Sequence, residues 1–367
     1  MEITAAVAHK PLADFTLETL TLDGPKAGEI LVKIKSVGLC HTDLAAREGI
    51  VPIPMPAVLG HEGAGTVVEV GAGVTKVKAG DKVALTFNSC GSCENCVLGS
   101  PAYCYQFLML NYAGVRPDGS SPITSAEGPV NSVFFGQSSF ASHALANEQN
   151  VVKLADDAPL ELVGPLGCGI QTGAGAVMNS MAAHEGSSLL VLGAGSVGLA
   201  GVLGGVVQGC STIIVVEPHA SRRALALELG ATHALDPAAG GLAEQVRAIV
   251  PIGAQYVFDT TGIPSVIEAS LGAMAPHAAL GLVGVPTDPT AAIGLSLMQA
   301  MIIGIKIYGI IEGDAVPDEF IPRLAALHRE GRFPFDKMIT KFPFNQINEA
   351  IEAGHRGEVV KAVLVHD

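Results

Sequence analysis

A long stretch without charged side chains limits most strongly how this chain can fold. Residues 186–216 contain no Asp, Glu, Lys or Arg, but they include eight glycines and end in Ile213-Ile214-Val215-Val216. A membrane-spanning helix needs about 20 apolar residues, so length alone would permit one here. The glycines and the β-branched end favour instead a buried strand, a glycine-rich turn, a helix of small residues and a second buried strand.

Three of these glycines are spaced as a phosphate-binding turn requires. A strand is predicted over 188–192, the turn is Gly193-Ala194-Gly195-Ser196-Val197-Gly198, and a helix follows over 199–208. A second strand over 212–216 ends at Glu217, nineteen residues after the last glycine of the turn. G-x-G-x-x-G between a strand and a helix, with an acid at this distance, indicates a doubly wound Rossmann domain that binds a dinucleotide.

Each position of the turn has a physical role. Gly193 permits the tight turn, Gly195 lets the backbone approach a pyrophosphate, and Gly198 lets helix and strand pack closely. Ser196 and Val197 complete the turn, and the N-terminus of the helix that follows offers free N–H groups to the phosphates. We therefore predict that this turn binds the cofactor.

Glu217 decides which cofactor is expected. A carboxylate at this position accepts hydrogen bonds from the adenosine ribose and repels a 2′-phosphate, so NAD is favoured over NADP. Arg222 and Arg223 follow closely. They either contact the cofactor and tolerate a 2′-phosphate, or lie on a solvated helix face.

Composition excludes several other functions. A length of 367 residues predicts two domains. The net charge of −14 and the absence of a basic run disfavour nucleic acid and anionic membranes as partners. The first residues lack the charged-then-apolar pattern of a signal peptide, so a cytoplasmic location is expected. Seven cysteines, an odd number, favour metal binding or catalysis over disulfides in that compartment.

Four of the cysteines are closely spaced. Cys90, Cys93, Cys96 and Cys104 lie three, three and eight residues apart. Such spacing lets a short lobe wrap one tetrahedral zinc ion with four thiolates, a closed structural site. Two disulfides are the alternative.

The N-terminal region is predicted to form many short strands. The sequence Glu29–Lys35 largely alternates polar and apolar residues, and glycines punctuate the segments that follow. Gly60-His61-Glu62-Gly63-Ala64-Gly65 then leads into Thr66-Val67-Val68-Glu69-Val70-Gly71. This motif resembles the zinc motif of the zinc-dependent, medium-chain alcohol dehydrogenases, and the other landmarks extend the resemblance over nearly the whole chain.

The resemblance implies a fold and a catalytic zinc. It implies an α/β chain with a GroES-like, β-rich catalytic domain (1–163 and 306–367), a Rossmann NAD-binding domain (164–305) and an active site in the cleft between them. Cys40, His61 and Cys168 would be the zinc ligands, since two cysteines and one histidine are known as this family's set. Cys168 is expected near the start of a helix over 164–183.

Other catalytic roles follow from the same resemblance. Thr42 would take the proton of the alcohol, and Asp43 and Glu62 would orient His61 and tune the metal. Ala45 stands where many relatives carry a histidine that ends the proton relay, so the proton must leave by another route.

Further cofactor contacts are implied by position in the family. The residues concerned are His41, Val283, Gly284, Val285 and Lys361. Lys361 would reach the pyrophosphate, where relatives often hold arginine; the alternative is an ordinary surface lysine.

The expected reaction is oxidation of a primary alcohol to an aldehyde with NAD, by a chain that holds two zinc ions. Phe134–Phe140 and 331–335 resemble the aryl-alcohol (benzyl alcohol) and geraniol dehydrogenase branch, which implies aromatic or allylic substrates. The aromatic cluster either lines a substrate pocket or packs in the core. Aliphatic alcohols, polyols and a non-catalytic nucleotide-binding protein are the alternatives. A homodimer or homotetramer is expected, with an apolar strand over 302–310 at its interface.

Overall fold

The computed structural model describes all residues 1–367 of the chain. It contains two compact units, each built from separate segments. The first unit comprises Met1–Cys168, Val316–Ala326 and Ile339–Asp367, and the second comprises Gly169–Ala315 and Leu327–Met338. The predicted domain boundaries at 163/164 and 305/306 stay predictions, since compactness does not test which segments fold independently.

Twelve strands lie in the first unit, and six form the centre of the second. In chain order they are β1 (Glu2–Ala8), β2 (Thr16–Leu22), β3 (Glu29–Gly38), β4 (Ala57–Val58), β5 (Gly63–Val70), β6 (Lys82–Leu85), β7 (Ile123–Ser125), β8 (Gly128–Val130), β9 (His143–Asn147), β10 (Val151–Lys153), β11 (Ser188–Leu192), β12 (Thr212–Val216), β13 (His233–Leu235), β14 (Ala254–Asp259), β15 (Met274–Leu282), β16 (Lys306–Gly309), β17 (Ile339–Pro343) and β18 (Lys361–Val365).

The helices are short in both units and range from four residues in α2 to thirteen in α10. In chain order they are α1 (His41–Glu48), α2 (Glu94–Val97), α3 (Phe107–Tyr112), α4 (Gly169–Gly175), α5 (Ser196–Val207), α6 (Ala220–Glu228), α7 (Leu242–Ile249), α8 (Pro264–Leu271), α9 (Leu297–Ile303), α10 (Pro317–Arg329) and α11 (Ile347–His355).

The first unit is β-rich, as predicted. One sheet has the order β4-β1-β2-β7-β8, and a second has the order β10-β6-β5-β3-β18-β17 with β9 also paired to β3. β3 lies at the centre of the second sheet, so most of its side chains are buried. The predicted alternation of exposed polar and buried apolar residues is seen mainly at Lys33, which is exposed. The strand continues to Gly38 and thereby delivers the chain to Cys40.

The second unit is a parallel sheet of order β13-β12-β11-β14-β15-β16. After β11 the chain forms β12 and β13 at one edge of β11. It later returns to form β14 at the opposite edge of β11. Such a switch point opens a crevice at the carboxyl ends of the strands, where doubly wound sheets bind ligands. This confirms the predicted Rossmann fold.

The charge-free stretch forms the predicted strand, turn, helix and strand. Gly193 has a φ of +94°, and a Cβ on Gly198 would lie 2.0 Å from the carbonyl oxygen of Gly193, so both glycines are required. The helix begins at Ser196, three residues earlier than predicted. No helix of the structure combines the length and the apolar character needed to cross a membrane.

Two other expectations need correction. The apolar run over 302–310 is not one strand, because Ile302 and Ile303 end α9, Gly304 adopts a φ of +62°, and β16 begins only at Lys306. The predicted helix over 164–183 is interrupted: a 3₁₀ turn at Gly164–Gly167 precedes Cys168, and a π-helical turn at Ala176–Ser180 follows α4.

Candidate active site

Four buried or half-buried side chains of the first unit converge on one point. Ligand atoms of Cys40, His61, Glu62 and Cys168 all lie within 4.8 Å of one another. The structure thus brings together the three predicted zinc ligands, with Glu62 beside them. Two sulfurs and an imidazole nitrogen form a donor set that suits Zn²⁺.

Asp43 orients the imidazole of His61. Its Oδ1 accepts hydrogen bonds from His61 Nδ1 at 2.8 Å and from the Gly60 N–H at 3.1 Å, and its Oδ2 accepts the Cys40 N–H at 3.0 Å. A carboxylate only accepts, so Nδ1 carries the proton and Nε2 offers a lone pair. Nε2 is buried and has no hydrogen-bond partner. A metal ion bound by the two thiolates would satisfy this atom, so the residues fit zinc.

The turn before Cys168 brings its thiol into the cluster. Cys168 has a φ of −145° and a ψ of −84°, which break the helix that the sequence predicted. A Cβ on Gly167 would lie 1.9 Å from the carbonyl oxygen of Leu85, and one on Gly164 would lie 2.4 Å from that of Glu62. Only glycines allow the backbone to approach β6 and the Glu62 segment so closely.

Charges in the cluster favour a cation. A hydrogen bond from Cys168 holds the pKa of the Cys40 thiol well below its usual range, although burial opposes this. Burial lowers the pKa of His61, but the negative charges of Asp43 and Cys40 outweigh it, so the pKa is raised well above the ordinary value. The same negative charges would favour a metal ion at Nε2, which would take the place of the second proton. The thiolate is the form in which cysteine binds metals.

Lys361 lies inside the first unit. Its ammonium is 2.7 Å and 2.6 Å from the two carboxylate oxygens of Glu62 and donates to the Leu39 carbonyl at 2.9 Å. Its side chain is 1% exposed and that of Glu62 is 0% exposed, so the surface-lysine alternative is wrong. Its contact with a cofactor stays a prediction.

Burial and charge act on the Glu62–Lys361 pair in opposite directions. Burial raises the pKa of Glu62 to about 7, although Lys361 opposes this rise. Burial lowers the pKa of Lys361, but the charge of Glu62 outweighs it and the pKa is raised overall. A Cβ on Gly38 would lie 1.9 Å from Glu62 Oε2, so glycine at this position makes room for the pair.

Replacement of Lys361 by methionine is expected to lower the free energy of unfolding by about 3–5 kcal/mol, because it leaves a buried carboxylate without its counter-ion. The double variant Lys361→Met/Glu62→Gln should regain most of this loss. Urea unfolding at about pH 8.5, where wild-type Glu62 is ionised, measures both. Lys35→Met, which removes a partly exposed lysine 3.7 Å from Glu161, is the control with an expected loss below about 1 kcal/mol. Additive losses in the double variant would contradict the pairing.

Thr42 lies on the first turn of α1 beside the cluster. Its Oγ1 is 3.8 Å from Cys40 Sγ, and its side chain is half-buried. His41 is exposed on the same turn, and Ala45, one turn later, is buried and provides no proton-accepting group. The hydroxyl of Thr42 is therefore within hydrogen-bond reach of the Cys40 sulfur.

The second predicted metal site is also assembled. Ligand atoms of Cys90, Cys93, Cys96 and Cys104 lie within 4.8 Å of one another. All seven cysteines are free thiols, so the structure contains neither of the two alternative disulfides. N–H groups of Ser92 and Cys93 donate to the sulfur of Cys90 and lower its pKa to about 6. Four protein thiols around one point form a closed tetrahedral set, which fits structural zinc.

The predicted cofactor residues of the second unit lie at the carboxyl ends of β11, β12 and β15. A Cβ on Gly195 would meet no atom within 4 Å, so the turn is open where a phosphate would approach. The Glu217 carboxylate accepts the Ala194 N–H at 2.8 Å and the His219 N–H at 2.9 Å, which ties β12 to the turn. Residues 283–285 follow β15 at the same edge of the sheet.

The two arginines after Glu217 differ. Arg223 donates to the carbonyls of Glu217 and Pro218 and lies 3.1 Å from Asp236, so it braces the start of α6. Arg222 is half-buried, and its Nε has no hydrogen-bond partner. The predicted cofactor contact of Arg222 stays a prediction.

Comparison with known proteins agrees with this geometry. Residues 26–156 match the alcohol dehydrogenase GroES-like domain, and residues 196–329 match the zinc-binding dehydrogenase family. The chain is 49% identical to geraniol dehydrogenase from Castellaniella defragrans, over 98% of this chain and 97% of that protein.

Two solved structures are similar over the whole chain. One is an alcohol dehydrogenase zinc-binding domain protein from Burkholderia ambifaria, with a TM-score of 0.98, 45% identity and coverage of 100% of this chain and 99% of that chain. The other is benzyl alcohol dehydrogenase from Acinetobacter calcoaceticus, with a TM-score of 0.97, 38% identity and full coverage of both chains.

Proposed function

The chain belongs to the zinc-dependent, medium-chain alcohol dehydrogenases, and we propose that its substrates are primary aromatic or allylic alcohols, which it oxidises to aldehydes with NAD. The buried cluster of Cys40, His61 and Cys168 carries the proposal. A nucleotide-binding protein without catalysis has no use for such a donor set with a position left open.

We infer that the chain binds two zinc ions. Cys40, His61 and Cys168 would hold the catalytic ion, and Cys90, Cys93, Cys96 and Cys104 the structural one. When bound, the catalytic ion supplies Lewis acidity that lowers the pKa of an alcohol hydroxyl. Asp43 keeps Nε2 of His61 available by holding the proton at Nδ1.

Thr42 is proposed to accept the proton of the alcohol. Its position next to Cys40 supports this role. Because Ala45 offers no acceptor, the proton would pass from Thr42 to the cofactor ribose or to water. NAD, when bound, would accept a hydride from the carbinol carbon, and the protein's task would be to hold the alcohol and the nicotinamide together.

NAD is the proposed cofactor. Phosphates would bind at Gly193, Gly195, Ser196, Val197 and Gly198, where the backbone is open and α5 begins. Glu217 at the end of β12 would face the adenosine ribose. His41, Arg222, Val283, Gly284, Val285 and Lys361 are proposed as further contacts.

The proposed aromatic or allylic preference rests on the relatives of the chain. The relatives described above include proteins named geraniol dehydrogenase and benzyl alcohol dehydrogenase. In this chain Phe134 and Phe135 are buried against His61, at 1% and 2% exposure, so they pack in the core and are not counted as support. Aliphatic alcohols and polyols, with the same chemistry, are the rival substrates.

A substrate panel tests the proposal. NADH formation is measured by absorbance with benzyl alcohol, geraniol and ethanol in parallel, using NAD and then NADP. We expect turnover of benzyl alcohol or geraniol with NAD at least about tenfold more efficient than that of ethanol, about 1.4 kcal/mol in transition-state binding. Turnover of ethanol alone would contradict the aromatic or allylic preference but not the metal chemistry.

We further propose a homodimer or homotetramer. Four large apolar side chains of α9 are exposed, led by Leu297 at 80% and Met301 at 78%, and β16 is an edge strand of the parallel sheet. A second copy of the chain would cover this face. A cytoplasmic location stays a prediction.

A further inference from the structure

The imidazole of His61 is covered by an aromatic ring that the zinc motif does not include. The rings of His61 and Phe135 are stacked, with centroids 4.3 Å apart and planes 22° apart. Phe134 meets the same imidazole edge-on at 5.5 Å. Both phenylalanines are buried. One face of the imidazole is therefore packed against a ring.

The backbone that carries Phe135 is in an unusual conformation. Val133, Phe135 and Ser138 have φ values of +69°, +52° and +53°. Positive φ is uncommon outside glycine and is a true outlier for β-branched or bulky residues. Such conformations persist only where the surrounding structure enforces them. The position of Phe135 is therefore imposed by its contacts and not by local preference.

Hydrogen bonds tie this segment to the residues around His61. Gln137 Nε2 donates to the carbonyl oxygen of His61 at 2.9 Å, and its Oε1 accepts the Gly63 N–H at 3.2 Å. Asn150 Nδ2 donates to the carbonyl oxygen of Phe135 at 3.0 Å. The segment over 133–138 is thus joined to the His61 segment by side-chain hydrogen bonds.

Asp43 and Phe135 constrain different motions of the imidazole. The hydrogen bond from Asp43 fixes one ring atom but leaves the ring free to tilt about that contact. A stacked ring fixes the plane, and offset stacking is a favoured arrangement of aromatic pairs. We propose that Phe135 is a positioning residue for the metal centre: it holds the imidazole plane so that Nε2 faces Cys40 and Cys168, and it thereby slows zinc loss. This inference rests on the proposed zinc site.

The test compares variants that keep or remove the ring. Phe135→Leu keeps an apolar side chain on the same strained backbone but removes the aromatic face, whereas Phe135→Tyr retains it. Phe15→Leu is the control, because Phe15 is also buried in the first unit and meets Phe140 edge-on, with no ring contact to His61. Zinc loss to a chelator is followed per chain, and the visible spectrum of the cobalt-substituted proteins reports the geometry of the metal site.

We expect Phe135→Leu to lose one zinc per chain about tenfold faster than wild type. Substitution of a residue that orients a metal ligand typically weakens metal binding by about this factor or more. Its cobalt spectrum should shift, while Phe135→Tyr and Phe15→Leu should match wild type in both measurements. Wild-type behaviour of Phe135→Leu would overturn the inference. So would an equal effect of Phe15→Leu, which would indicate general loosening of the core. If His61→Ala holds as much zinc as wild type, the proposed function fails, and the inference with it.

Discussion

Replacement of Cys168 by alanine is expected to lower kcat/KM for benzyl alcohol at least about 10³-fold, equivalent to about 4 kcal/mol of transition-state stabilisation. The thiolate is one of three proposed ligands, and the turn at Gly164–Gly167 holds it within the cluster. Its loss should remove the catalytic ion but leave the four-cysteine site filled. Zinc content should fall from two ions per chain to one, which elemental analysis measures together with steady-state kinetics.

Cys210 provides the matched control for this variant. It is a free, half-buried cysteine outside both clusters, with Ser187 as its hydrogen-bond partner. Cys210→Ala is expected to keep two zinc ions and activity within about twofold of wild type. Substitutions that remove no metal ligand, buried network or large core side chain usually have small effects. Full activity and two zinc ions in Cys168→Ala would show that the catalytic ion is bound elsewhere.

The second large effect is expected at the four-cysteine site, where Cys93→Ala should lower the midpoint of thermal unfolding by roughly 10 °C. The lobe has little core of its own: no residue of α2 is buried, and Val97 and Leu98 are more than 70% exposed. Metal binding must then supply much of the stability of the lobe, as in small zinc domains. If about 4 kcal/mol is lost, a fall of this size follows, since 1 kcal/mol corresponds to about 2–4 °C in larger domains.

Calorimetry and limited proteolysis measure the effect of Cys93→Ala, with Ser100→Ala as the control. Ser100 is exposed and belongs to the same lobe. Cleavage within residues 91–103 should accelerate only in the cysteine variant, because the lobe opens when its ion is lost. An unchanged unfolding midpoint would contradict the structural role of this site.

The parts of the fold that the sequence predicted correctly depend on local patterns. Strand β11, its turn and helix α5 follow one another within twenty residues. Gly193 and Gly198 have steric requirements that a pattern records, and Gly195 leaves the turn open. The four cysteines are likewise close in the chain, so spacing alone predicts that they can reach one ion. Cys40, His61 and Cys168 lie far apart, and their convergence was expected only from the family resemblance.

The features that sequence reasoning missed depend on contacts between distant residues. Lys361 pairs with Glu62 across 299 residues, and no local signal separates a buried lysine from an exposed one. Gly38 is required by the Glu62 carboxylate, which lies on another segment. The sequence does not decide whether Phe135 packs in the core or lines a pocket, because only the structure places its ring on His61. The helix break at Cys168 depends on the close approach of Gly167 to β6.

Benzyl alcohol oxidation with NAD, measured on one preparation before zinc removal, after it and after zinc is restored, tests the central claim most directly. We predict that removal of the ion at Cys40, His61 and Cys168 abolishes NADH formation and that added zinc restores it. Unchanged NADH formation by protein shown to contain no zinc would contradict the proposed role of this cluster.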